Sequence, residues 1–450
     1  MRTLEHLADE LAAGRTTSRE LVEHCLANIT SAHGEGARVF LKVHADRARR
    51  AADEVDLARR DRKATGRYAG IPISIKDLFD IEGDVTTAGS NLLRDSSPAS
   101  RDAPCVARLR AAGFIPVGRT NMTEFAFSGL GLNCHYDTPA NPFERAARRI
   151  PGGSSSGAAV SITDEMAFAA LGTDTGGSCR IPAAMCGIVG YKPTAKRVPL
   201  AGAFPLSPSL DSIGPLANSV DCCAVLDSIL AGEPVVPLQA TPLKGLRLAV
   251  PRSLVFDDIE PYVAATFERA LGQVASLGAR VHDIELAELK ELPQLNRKGG
   301  LAPPEALAIH RDWIAEHADA YDPRVLARIN RGKEQDAADY IQLLRARADF
   351  IVRVSRQLET FDAVVLPTVP IVAPTIASLA DDAAYGRANV LALRNPSTIN
   401  FLDGCAISIP CHRAGEAPVG FMIAGLHGND RKVLSIAKAI EQIVSRDARA

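Results

Sequence analysis

The residues best equipped for covalent chemistry in this chain fall in two clusters, Gly152-Gly153-Ser154-Ser155-Ser156-Gly157 and Gly172-Thr173-Asp174-Thr175-Gly176-Gly177-Ser178-Cys179-Arg180. Glycine at that density marks tight connections, where backbone comes close or takes dihedrals that a side chain resists. N–H groups in such a turn have no ladder partner and are candidate donors to an oxyanion; a serine hydroxyl among free donors is the layout of acyl transfer. Between the clusters, residues 158–171 are predicted to form a helix followed by a short buried strand, which brings the two turns together.

Other chemistries fit these clusters less well. Composition alone favours a flexible linker, but the flanks are apolar and a linker needs neither Asp174 nor Arg180. Neither cluster is followed by the Lys-Ser or Lys-Thr of a Walker-type phosphate loop. The Asp174-Thr175-Gly176 triplet suits an aspartic protease only if a second such triplet shares its proton, and the sequence has none.

Together with Gly70-Ile71-Pro72-Ile73-Ser74-Ile75-Lys76-Asp77, the two clusters resemble the amidase signature family, as do Gly187-Ile188-Val189-Gly190-Tyr191-Lys192-Pro193-Thr194 and Val365-Leu366-Pro367-Thr368. The resemblance implies an α/β fold, a mixed central β-sheet covered by helices on both faces. It makes Ser178 the nucleophile, Ser154 a bridging serine whose peptide is typically cis, and Lys76 the base at the end of the relay. It assigns the oxyanion donors to the backbone N–H groups of Thr175, Gly176, Gly177 and Ser178. Ser156 stands where the family most often has glycine and Ala158 where it often has serine; neither change removes a catalytic group.

Around Lys76 the isoleucines alternate with Pro72 and Ser74, which predicts a strand with the lysine on the face opposite Ile71, Ile73 and Ile75. A lone lysine at a strand end is usually solvated. Two things favour a role for Lys76: no histidine competes near the serine clusters in sequence, and the whole 70–77 run matches the family. To act as a base it must be neutral, so the fold has to strip water from its ammonium and lower its pKa from the usual ~10.4. His135, in a polar loop over residues 133–141, is a weaker candidate, because the lysine relay already accounts for proton transfer.

Elements must position these groups. Thr17-Ser18-Arg19-Glu20 reads as a capping box opening a helix through Leu21, Val22 and Cys25, and a second helix is expected over 44–60 with Ala51, Val55 and Ala58 toward one side. Strands are expected over 246–250, 280–284, 362–366, 405–410 and 419–424, with helices over 220–230 and 261–277. Residues 301–359 are helical in composition, interrupted at Pro323 and Gly332. A last helix from Asp430 carries Val433, Ile436, Ile440 and Ile443 as one apolar stripe. The expected organisation is a single domain over 1–450, with an N-terminal helical wrap over 1–65, a catalytic core over 66–230 and a helical substrate channel over 290–360. The run 118–125 and the loop 198–212 shape the cleft. The pocket candidates are Met122, Phe125, Phe204, His310, Trp313 and Tyr340.

Bulk properties bound the rest. The 450 residues are 46% hydrophobic, ample for a buried core, and 51 Lys and Arg nearly balance 53 Asp and Glu. No basic tract suggests a nucleic-acid track, and no run is apolar enough for a membrane span, so a cytoplasmic protein is expected. Nine cysteines without CxxC pairing read as reduced, buried thiols rather than zinc ligands. No metal or organic cofactor has a role in the expected chemistry, and a homodimer is possible. The expected reaction is hydrolysis of a small to medium neutral carboxamide through an acyl-enzyme on Ser178; Arg311 and Arg324 are the arginines weighed against neutrality, both expected to be solvated. Three other readings are the glutamine-hydrolysing subunit of a tRNA amidotransferase, an allophanate-type hydrolase suggested by residues 400–406, and a silent scaffold, against which intact Lys76, Ser154 and Ser178 argue.

Overall fold

The computed structural model describes residues 2–445. Its strands are β1 (Phe40–Val43), β2 (Pro72–Lys76), β3 (Ile115–Thr120), β4 (Ala169–Thr173), β5 (Val189–Lys192), β6 (Ile213–Ala217), β7 (Arg247–Pro251), β8 (Arg280–Ile284), β9 (Ala363–Pro367), β10 (Cys405–Pro410) and β11 (Gly420–Gly425). They form one sheet in the order β1-β3-β2-β4-β6-β5-β10-β11-β9-β7-β8. Strand β2 runs parallel to β3 and β4, and β7 runs parallel to β8 and β9; the remaining pairs are antiparallel, so the sheet is mixed.

Strand alternation divides the core between the two faces of this sheet. On one side Ile73, Ile75, Leu171, Ile213, Tyr191, Ile407, Phe421 and Val365 pack with helical residues such as Leu109, Leu226, Phe267 and Ile436. On the other, Ala170 and Leu216 pack with Ala158, Ala159 and Ile162. Farther along that second face, Leu366, Ala406 and Met422 pack with Leu343, Phe350 and Ile399. Every residue of β2 is buried, as expected for a strand covered on both sides. The isoleucines of β2 face the first layer, while Ser74 Oγ hydrogen-bonds Ser161 Oγ of the Ser156–Thr163 helix at 2.9 Å in the second.

The expected capping box is present: Thr17 caps the Ser18–Ile29 helix and Glu20 closes it. The next helix, Ala45–Arg60, buries Ala48 and Ala52 most deeply, so its inward stripe is rotated from the one expected through Ala51, Val55 and Ala58. Pro323 does not interrupt a helix; it opens one, Pro323–Asn330, at the first turn, where its missing N–H costs nothing. Two further helices had no counterpart in the sequence expectation. One is Leu4–Ala12, which buries Leu4, Leu7 and Leu11; the other is Asp382–Phe401, with Pro396 inside it. No helix among the described residues is long and apolar enough to cross a membrane.

Candidate active site

Strands β2 and β4 are parallel neighbours, so their C-terminal ends lie together and carry Lys76 and Thr173 side by side. Lys76 Nζ donates to Ser154 Oγ and to Thr173 Oγ1, both at 2.8 Å. The lysine is fully buried and forms no ion pair among the described residues. Burial pushes its pKa down to about 7, against the opposing pull of negative groups including Asp174 and Asp211. An amine in this state offers a lone pair near neutral pH.

Ser154 follows a cis peptide bond from Gly153. The loop is pinned on both sides: Gly153 N–H donates to Gly129 O at 2.8 Å, and Thr123 N–H donates to Ser154 O at 3.1 Å. A Cβ on Gly153 would lie 2.5 Å from Gly131 N, so only glycine allows this approach. The helix Ser156–Thr163 starts directly afterwards and anchors the loop to the sheet.

The second cluster is a turn built around the Asp174 carboxylate. It accepts from Gly177 N–H at 2.9 Å, Cys179 N–H at 3.2 Å, Arg180 Nε at 3.0 Å and Nη2 at 2.9 Å, and Asn400 Nδ2 at 2.9 Å. Arg180 Nη2 also donates to Asn400 Oδ1 at 2.6 Å. Burial alone would raise the Asp174 pKa, but the Arg180 guanidinium holds it down to about 2. The backbone of Asp174 exchanges hydrogen bonds with Ser212, so the 198–212 loop is tied to the same turn. Of the four N–H groups expected to face an oxyanion, that of Gly177 is therefore spent on Asp174, a correction to the expected set. Those of Thr175, Gly176 and Ser178 have no partner among the described residues. Ser178 is 3% exposed, and its hydroxyl hydrogen-bonds no described residue.

A cavity of about 340 Å³ opens beside Thr173 and Thr175, walled by Leu78, Ala126, Phe204 and Asp211 among others. Asp211 is buried, and that burial raises its pKa to about 6 although Thr175 Oγ1 and two backbone N–H groups donate to it. Phe125 and Ala126 take left-handed φ of 49° and 59°, strain of the kind stored where a wall must be shaped. Of the six pocket candidates Phe204 lines this cavity, and Phe125, His310 and Trp313 form an aromatic cluster around it. Phe125 lies 5.3 Å from Phe204 and 4.4 Å from His310, and Trp313 lies 6.2 Å from Phe204, measured between ring centroids. Tyr321, on the same helical stretch that was expected to line the pocket, joins them through a 3.0 Å hydrogen bond with His310 Nδ1. The other two lie elsewhere. Met122 is wholly buried against Gly89, and Tyr340 donates to Glu305 at 2.8 Å, which in turn accepts from Ser207 Oγ and Ser209 N–H. Tyr340 thus braces the 198–212 loop from behind. His135 is occupied by Glu124, 2.7 Å from its Nε2, and by Asn91.

Sequence reasoning gave no role to Thr173, Asp211 or Asn400. Thr173 and Asp211 were visible as members of a cluster and a loop. Nothing local points to Asn400, which reaches Asp174 from 226 residues away. No group of His, Cys, Asp and Glu that could hold a metal ion occurs among the described residues.

A family model described as Amidase matches residues 20–434. The chain is 34% identical to 2-amino-5-chloromuconic acid deaminase of Comamonas testosteroni, over 98% of this chain and 97% of that one. It is 32% identical to a glutamyl-tRNA(Gln) amidotransferase subunit of Chromohalobacter salexigens, over 98% and 96% respectively. A solved crystal structure of an amidase is similar with a TM-score of 0.89 at 31% identity, covering 98% of this chain and 99% of that chain.

Proposed function

The chain belongs to the amidase signature family, whose members are generally hydrolases of amide bonds, and from that premise we propose that it is a serine amidohydrolase acting through an acyl-enzyme on Ser178. The observation that carries the reading is the buried Lys76 amine, held on hydroxyls and not on a carboxylate, with a hydrogen bond to Ser154. Neutral Lys76 takes the proton of Ser154, Ser154 takes that of Ser178, and Ser178 Oγ attacks the carboxamide carbon. The N–H groups of Thr175, Gly176 and Ser178 receive the oxyanion. Return of the proton through Ser154 lets ammonia or an amine leave, and water repeats the relay against the ester. The 340 Å³ cavity suits an acyl group of small to medium size. The relatives' names point to different substrates, so they support the chemistry and leave the acyl group to this chain's own pocket. Nine free cysteines, eight of them buried, suit a reducing cytoplasmic setting.

The test is a fluorophosphonate probe with peptide mapping. Wild-type protein is expected to carry the adduct on Ser178, and Ser178→Ala to lose both adduct and turnover while staying folded. An unlabelled wild-type protein would favour the silent scaffold.

A further inference from the structure

Arg328 is a half-buried arginine with no hydrogen-bond acceptor among the described residues. It lies on the Pro323–Asn330 helix, whose Val325 and Ile329 are buried. Its Nε is shut off from solvent without an acceptor, and none of its nitrogens hydrogen-bonds or ion-pairs with a described residue. The guanidinium rests on the Phe127 ring, with Cζ 4.7 Å from the centroid. Burial holds its pKa below the ordinary arginine value, and the groups acting on it through charge are Tyr385 and Arg331, neither of them a carboxylate. Other buried guanidinium groups are matched: Arg119 by Asp77, Arg180 by Asp174 and Arg347 by Asp403. The two arginines weighed from sequence are explained otherwise. Arg311 is 74% exposed, and Arg324 donates to Asp382 at 2.8 Å.

The position of Arg328 links it to the reacting turn. Phe127 follows Ala126, a wall of the cavity. Two residues farther on, Gly129 O accepts the Gly153 N–H, and the Leu393 side chain packs on both Gly129 and Gly176. Arg328 therefore rests on the segment 126–129, which borders the cavity through Ala126, holds the serine loop through Gly129 and meets the oxyanion turn through Leu393. The Arg328 Nε, withdrawn from water without an acceptor, carries an uncompensated desolvation cost, and the planar fork of a guanidinium matches a carboxylate. Stacking on an aromatic face holds the fork in place but satisfies none of its N–H groups.

We infer that Arg328 receives a carboxylate carried by the amide substrate, so that the enzyme's substrates are anionic carboxamides. This rests on the serine amidohydrolase reading and replaces the expectation of a neutral substrate, which weighed only Arg311 and Arg324.

The experiment uses the monoamides of malonate, succinate and glutarate, each beside the neutral primary amide that lacks the carboxylate. Wild-type enzyme is expected to prefer one charged amide over its neutral partner by roughly a hundredfold or more in kcat/KM. Arg328→Gln is expected to lose most of that ratio through KM, with the neutral series changed by less than about threefold, and Arg328→Lys to fall between. The matching dicarboxylate should raise the Tm of wild-type protein and leave that of Arg328→Gln unchanged. Equal losses on charged and neutral amides with Ser178 still labelled by the fluorophosphonate overturn the role of Arg328 alone, and so does a wild-type preference for neutral amides. Absence of labelling in wild type and variant alike removes the amidohydrolase premise, and this inference falls with it.

Discussion

A lysine serves as a base only when it has lost its proton, and at this site every neighbour bears on that. Ser154 and Thr173 satisfy the amine without a carboxylate to hold it charged, and burial brings its pKa to about 7. Protonated Lys76 cannot accept the Ser154 proton, so acylation should be slow on the acid side, rise through about pH 7 and level off above it. Asp211, raised to about 6 by burial at the cavity wall, adds curvature only on the acid limb. Single-turnover acylation measured across pH, with hydroxylamine trapping the acyl group as a hydroxamate, checks this. A rate flat from about pH 5 to 9 would remove Lys76 as the base.

The oxyanion turn belongs to no single element. Asp174 comes from the end of β4, Arg180 opens the Arg180–Cys186 helix, and Asn400 comes from the last turn of Asp382–Phe401. Replacing Asn400 by Leu leaves Arg180 Nη2 short of an acceptor and Asp174 short of a donor inside the core. The expected cost is about 1–3 kcal/mol of stability, seen as a lower urea midpoint. Because the free N–H groups move with the turn, kcat should fall by about tenfold or more while KM changes little. An Asn400→Leu enzyme with parental kcat would show that the turn holds its shape without the helix.

The same elements show what was legible in the sequence. Strands β8 and β10 match their expected bounds, β10 as a short apolar run between turn residues and β8 by Val281 and Ile284 set among polar neighbours after the Gly278 turn, and the two glycine clusters reveal their chemistry by residue type. The Asp382–Phe401 helix was hidden because polar residues interrupt its inward face between Tyr385, Ala392 and Ile399. Asn389, Asn395 and Asn400 are buried and bonded to distant groups, which leaves the apolar spacing too sparse to read, and Pro396 reads as a break. The diversion of the Gly177 N–H was invisible for the same reason: the orientation of Asp174 depends on a partner 226 residues away. The missing acceptor of Arg328 can be seen only once every carboxylate has been placed.

At the scale of the whole molecule, one sheet packed on both faces supplies a dry interior, and two lysines are enclosed in it. Lys76 ends β2 on hydroxyls, and Lys192 ends β5, donating to the carbonyls of Pro193 and Gly404. Burial lowers both, to about 7 and about 8, from an ordinary 10.5. Between about 7 and 10.5 the unfolded chain therefore binds more protons at position 76 than the folded one, and stability must rise with pH. The contribution of the lysine is fully present above 10.5 and is lost as pH falls to about 7, so the group that enables catalysis destabilises the fold at the pH where it works. Lys76→Met removes that titration. The variant should be inactive yet more stable than wild type near neutrality, and the difference should close on going alkaline by up to about 1.4 kcal/mol per pH unit. Urea unfolding of both proteins at intervals from about pH 7 to 10, with equal m values, measures the gap directly. Lys192→Met, a control at a lysine that hydrogen-bonds only backbone carbonyls, should show the same closure over a shorter span because its folded value is about 8. Parallel stability curves for wild type and Lys76→Met would mean that Lys76 keeps its proton across the range, and the neutral-amine relay would fail with it.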